Sequence, residues 1–248
     1  MASTTPATLA NTPPAPCADA IDWRLVLGAP GLYLLLLVGM AQGLALLGSA
    51  AFAPPDAGAQ YVYGSLALLL TQLGAGLLTF RWLRARVGAR WRAGSACGFG
   101  FGGSTRAWML AGEGSGLMLA LAAVALAWLL PRHGAPHLAS LLIALPALPL
   151  ASTLISVLLA PLFEEGIFRG ALLGALAPAL GPLGAGVAST ALFTVLHVPE
   201  QAGYFWGLLP IAALGGLAAW LRLRSGSLWP GIVAHMCFNA LLGLGALH

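Results

Sequence analysis

Long apolar blocks separated by short polar breaks organise this chain. A helix needs about 20 apolar residues to cross a bilayer. Blocks that approach this length cover residues 30–52, 61–80, 107–130, 138–177, 183–198, 204–221 and 228–247. The fourth is about twice the necessary length and is interrupted by Pro146, Pro149 and Pro161. Proline breaks or kinks a helix, so this block reads as a span plus a second helix, or as one long broken helix. The pattern predicts an all-α polytopic transmembrane bundle of seven or eight helices. Tyr33, Tyr61, Trp82, Trp108, Trp128, Trp206, Trp220 and Trp229 fall where interfacial aromatic anchors are expected. Gly and Ala runs, such as 214–219, allow close helix packing.

Composition narrows the class. Of 248 residues, 59% are hydrophobic and 7% charged, with a mean hydropathy of +0.90. Soluble domains carry about 25% charged residues. A soluble globular enzyme and a disordered chain are both excluded. The chain has eleven Arg, no Lys and a net charge of +4. Six of these Arg lie between Arg81 and Arg106, which reads as a cytoplasmic loop and not as a nucleic-acid surface. Arg222 and Arg224 then mark a second cytoplasmic turn, and 178–182 a third. The first twenty residues are rich in Ala, Thr and Pro, hold no Arg and lack a signal-peptide pattern. Residues 1–29 therefore read as a mobile cytoplasmic tail, and 30–248 as one membrane domain. Cys17, Cys97 and Cys237 are too few and scattered for a disulfide framework or a Cys-based zinc site.

Against this background, ionisable groups at membrane depth stand out, because each costs about 2.5–3.5 kcal/mol on insertion scales. They are Glu113, Glu164, Glu165, Arg169, His197 and His235. Glu113 lies near a helix end, where it can snorkel to the surface. Glu165 and Arg169 stand four apart, share a helix face and form a favourable acid-first pair. Glu164 points about 100° away from that pair. Phe193 and His197 are one turn apart, as are His235 and Asn239. At 1.5 Å per residue, Glu164 lies roughly 21 Å from the turn at 178–182, and His197 roughly 22 Å from it. Asn239 lies roughly 18 Å from Ser227, with His235 one turn shallower. Three helices thus bring polar groups to one level, as a shared site requires.

Several chemistries can be weighed against these residues. Every Asp lies outside the spans, which excludes a membrane aspartyl protease, and no His-Glu-x-x-His is present. Zinc held by Glu164, His197 and His235 is a minority alternative. Ser152, Ser156 and Ser189 are available, but no nucleophile motif surrounds them. The Gly-rich run 98–103 fits G-x-G-x-x-G yet lacks the strand and acid of a nucleotide site. General-base chemistry uses every group: a carboxylate takes a proton from water, one His orients that water, and a second His with an amide stabilises the oxyanion.

The sequences Glu164-Glu165-x-x-x-Arg169, Phe193-x-x-x-His197 and His235-x-x-x-Asn239 resemble, in order, the three motifs of the CPBP family. This family comprises CAAX prenyl proteases and bacteriocin-processing or Abi proteins, which are glutamic-type intramembrane endopeptidases. The likeness covers about residues 151–246. It implies Glu164 as general base, His197 as its partner, and His235 and Asn239 as oxyanion stabilisers. Glu165 and Arg169 would form a structural pair, and Phe193 would shape the pocket. It also implies peptide-bond hydrolysis on a membrane-associated protein or peptide, without a metal or other cofactor, in a bacterial inner membrane with a cytoplasmic N-terminus. The alternative within the family is a non-catalytic immunity or scaffold protein. A proton-coupled transporter also uses membrane Glu and His, but no repeat or paired broken helices support it.

Overall fold

The computed structural model describes residues 22–51, 57–130, 154–201 and 204–245. Most of the expected tail, and the part of the long fourth block before residue 154, lie outside them. Helix α1 covers Trp23–Ala51, α2 Ala57–Val87 and α3 Arg106–Leu129. A long helical run follows. It opens with a π turn at Ile155–Leu159, continues as α4 (Ala160–Glu165), widens again at Gly166–Leu172 and becomes α5 (Leu173–Leu196). Helices α6 (Leu208–Ser225) and α7 (Trp229–Gly245) complete the bundle. No strand occurs among the described residues.

The helical class is as expected, but the count is lower. The described residues form six helical runs rather than seven or eight, and five are long and apolar enough to cross a membrane. The run Ile155–Leu196 holds two helices, and the chain turns between them at a single residue instead of a loop. Gly181 has φ +71°, a left-handed conformation that glycine adopts at no steric cost, and it lies between Pro178 and Pro182. The turn expected at 178–182 is therefore one residue long.

Helix α1 also starts earlier than expected. Asp22 caps it by accepting from the backbone N–H of Arg24 at 3.0 Å. Residues 23–29, assigned above to the tail, are thus helical, and Pro30 lies inside the helix.

Packing joins α1 to α2, α5 to α6 and, most intimately, α3 to α7. Gly112 and Gly116, one turn apart on α3, permit that last contact. A Cβ at either would sit 2.2 Å from a backbone oxygen of α7, that of Pro230 or Ala234. Small residues at this spacing let membrane helices approach closely. Glu113 between them is exposed, in keeping with a snorkelling side chain. The outer surface is apolar, with Leu35, Val38, Leu77, Met118, Val187 and Trp220 all exposed. Such a surface suits lipid rather than water.

The Gly-rich run 98–103 closes one end of the bundle. Arg222 is fully buried and donates to the carbonyls of Gly94, Ser95 and Gly98 at 2.8–3.1 Å. Gly100 has φ +83°, and a Cβ there would lie 2.2 Å from the Arg222 guanidinium. Trp91, Phe99 and Phe101 stack beneath, with Phe80 set edge-on to all three. Arg222 therefore clamps a loop instead of merely marking a turn, whereas Arg224 is exposed as expected.

Candidate active site

The first π turn has a local origin in the sequence. Pro161 has no N–H to give to a carbonyl in the preceding turn, and Ala160 already bonds five residues back to Ile155. Leu173 likewise bonds five residues back to Phe168. Wide turns of this kind are rare and tend to accompany functional sites. Here they bracket Glu164 and Glu165.

The two acids diverge. Glu165 is 1% exposed and accepts from Arg169 Nη1 at 3.2 Å. The same oxygen accepts from His235 Nδ1 at 3.0 Å. A carboxylate oxygen cannot donate, so Nδ1 carries the proton in that bond. Arg169 is fully buried, and its guanidinium lies over the Phe193 ring, 4.4 Å from the centroid. Gly215 on α6 leaves room for it, since a Cβ there would sit 2.9 Å from Nη2. Phe193 in turn packs edge-on against His235 and Phe168, at 5.9 and 5.2 Å between centroids. The expected Glu165–Arg169 pair is present, and His235 joins it as a third member.

Glu164 turns the other way. Its side chain is 21% exposed and lines an open cavity of about 290 Å³. His197 lines the same cavity, together with Pro30, Tyr33 and Leu37 of α1 and Gln72 of α2. Two further lining residues, Leu34 and Leu196, are exposed, which puts the mouth on the apolar flank of the bundle. His197 Nδ1 lies 2.7 Å from the carbonyl of Phe193. A carbonyl only accepts, so Nδ1 is a protonated nitrogen, and in the neutral ring Nε2 keeps its lone pair. His235 Nε2 lies 3.9 Å from Glu164 Oε2, too far for a direct hydrogen bond.

Residues 146–241 match the family model for type II CAAX prenyl endopeptidase Rce1-like proteins. Over that stretch the chain is similar to this family. None of the curated proteins and none of the solved structures compared with the chain matches it. The resemblance read from the three motifs thus agrees with an endopeptidase family. The apolar helices and the family together make the chain an integral membrane protein. All seven expected site residues lie inside the Rce1-like stretch.

Asn239 is placed differently from the other expected residues. Its Nδ2 donates at 2.7 Å to the carbonyl of Ser156, five residues before Pro161. In a π turn the N–H of residue 161 would reach that carbonyl, and proline has none. Asn239 thus supplies from α7 a donor that the helix lacks, and it does not line the cavity. Of the serines considered, Ser189 is buried and donates to the carbonyl of Phe168 at 2.8 Å, which occupies its hydroxyl. Ser152 lies outside the described residues. Among the described residues, no three His, Cys, Asp or Glu side chains are grouped to hold a metal ion.

Tyr33 was expected to anchor α1 at the membrane interface. It is instead buried, packs on Phe163 and accepts from Gln72 Nε2 at 2.5 Å. Its position in the cavity, and that of Gln72, escaped the motif search because both lie outside the Rce1-like stretch. A glutamine in the middle of an apolar block was the available signal, since an amide in lipid needs a partner.

Proposed function

We propose that this chain is an intramembrane endopeptidase that hydrolyses a peptide bond of a membrane-associated protein or peptide through water activated by Glu164 and His197. The observation that carries the reading is the divergence of two adjacent acids. Glu165 is consumed by Arg169 and His235, whereas Glu164 faces a cavity that also holds His197.

The chemistry follows from these positions. Water in the cavity gives a proton to the Glu164 carboxylate while its oxygen bonds to the peptide carbon. His197 Nε2 accepts the second hydrogen of that water and fixes its direction of attack. The carbonyl electrons move onto oxygen to form a tetrahedral oxyanion, which needs hydrogen-bond donors. On collapse the C–N bond breaks, and the proton held by Glu164 passes to the departing nitrogen. His235 contributes through Nε2 at the rear of Glu164, and Arg169 with Glu165 sets the imidazole orientation. No step calls for a metal, so chelators should leave turnover unchanged.

Entry is from the bilayer, through the mouth beside Leu34 and Leu196. Leu37, Ile167 and Phe168 line the path inward and suit a large apolar group next to the scissile bond. A prenylated tail and an apolar peptide segment both have that character. The setting is a bacterial inner membrane, with the N-terminus on the cytoplasmic side.

The test compares membrane proteomes of cells carrying the wild-type chain and Glu164→Gln. The reading expects precursors that accumulate uncleaved in the variant, with the wild-type protein cleaving a synthetic peptide that spans the missing cut. If both proteomes are alike and Glu164→Gln complements a deletion fully, the non-catalytic immunity or scaffold role takes its place.

A further inference from the structure

The first half of the chain carries no motif of the Rce1-like family, yet it furnishes one wall of the cavity. We infer that Tyr33 is a further catalytic residue, whose hydroxyl donates a hydrogen bond to the substrate oxygen as water from Glu164 attacks. This inference rests on the endopeptidase reading above. Gln72 acts through Tyr33 as a positioning residue.

A count of donors leads to this assignment. The ionisable or hydrogen-bonding side chains that line the cavity, among the described residues, are Tyr33, Gln72, Glu164 and His197. Glu164 is an acceptor when ionised, and His197 Nε2 is an acceptor because Nδ1 serves the Phe193 carbonyl. Neither donates to a developing oxyanion, and Gln72 gives an amide N–H to Tyr33. The donors assigned to that task by motif make other contacts in this structure. His235 Nδ1 donates to Glu165, Asn239 Nδ2 donates to Ser156, and neither residue lines the cavity.

Tyr33 has what is missing. Its oxygen accepts from Gln72, so its own proton points away from that amide. Tyr33 and Glu164 line the same cavity. The ring rests on Phe163, the residue just before Glu164, at 6.3 Å between centroids. This packing fixes the phenol relative to the base without a direct bond between them. Packing alone does not call for a hydroxyl here, since phenylalanine would fill the same wall. Donors aimed in advance at a forming charge are among the largest contributors to catalysis.

The experiment uses the full chain in membranes and a synthetic peptide spanning the cut of a precursor that accumulates in Glu164→Gln cells. Tyr33→Phe keeps the ring and removes only the donor. It is expected to lower kcat about 100-fold, with KM within about twofold and only a small drop in melting temperature from the unpaired Gln72 amide. Gln72→Leu is expected to lower kcat less. The double variant should be no slower than Tyr33→Phe alone, because Gln72 acts only through the phenol.

If Tyr33→Phe keeps wild-type kcat while Glu164→Gln is inactive, the inference fails and the endopeptidase reading stands. A lower melting temperature with normal kcat makes the Tyr33–Gln72 pair a clamp between α1 and α2, which also overturns it. If no precursor accumulates, or if Glu164→Gln turns over normally, the endopeptidase reading fails first and takes the inference with it.

Discussion

Glu164 and Glu165 are neighbours in sequence and have almost nothing else in common. Glu165 lies in a dry cluster with Arg169, His235 and Phe193, where a guanidinium and an imidazole meet a single carboxylate oxygen. Glu164 faces a cavity that opens on the apolar flank, opposite a histidine whose outer nitrogen still has its lone pair. A rotation of about 100° per residue is enough to part them. The comparison teaches that a buried charge paired at close range serves architecture, while one that faces a cavity can do chemistry.

The largest effect on the dry side should come from Arg169→Leu. Removing one partner of a buried pair strands the other, at about 3–5 kcal/mol. Thermal melting in detergent should show a large drop, and adding Glu165→Gln should recover part of it. Were the single variant to melt like wild type, the cluster would not be the structural centre described here.

Next comes Asn239→Ala, which leaves the Ser156 carbonyl without its α7 donor. The expected cost is about 1–3 kcal/mol. Activity should fall together with stability, and both should recover in Asn239→Ala/Pro161→Ala, where residue 161 again has an N–H. A loss of kcat with no change in melting would return Asn239 to the oxyanion role implied by its motif.

The end of α6 repeats the contrast between buried and exposed charges, and its exposed member has the smallest effect of all. Arg222→Met removes the donor from three loop carbonyls and should lower the melting temperature clearly. Exposed Arg224→Ala should leave it unchanged. Equal effects from the two would mean that the loop is not held by Arg222.

These contrasts were only partly legible in the sequence. The apolar blocks gave the membrane class, because backbone groups in lipid must be satisfied within each helix and the hydropathy pattern records that demand. Helical spacing separated Glu164 from the Glu165–Arg169 pair, and three short motifs named the residues that the fold brings to one region. Features that depend on long-range packing were hidden. Arg222 and a loop arginine look alike until the fold brings Gly94, Ser95 and Gly98 within reach. Tyr33 has the amphipathic form of an interfacial anchor, and only the approach of α2 gives its hydroxyl a partner. The role of Asn239 depends on a π turn, and hydropathy periodicity does not register one extra residue in a turn.

The most direct test of the central claim is the turnover of Glu164→Gln beside Glu165→Gln on one precursor peptide, with melting temperatures recorded on the same preparations. The account predicts that Glu164→Gln loses cleavage by about 10³-fold or more and melts like wild type. It predicts that Glu165→Gln melts at a lower temperature and retains measurable cleavage while folded. Normal turnover by Glu164→Gln, or loss of activity confined to Glu165→Gln, would contradict it.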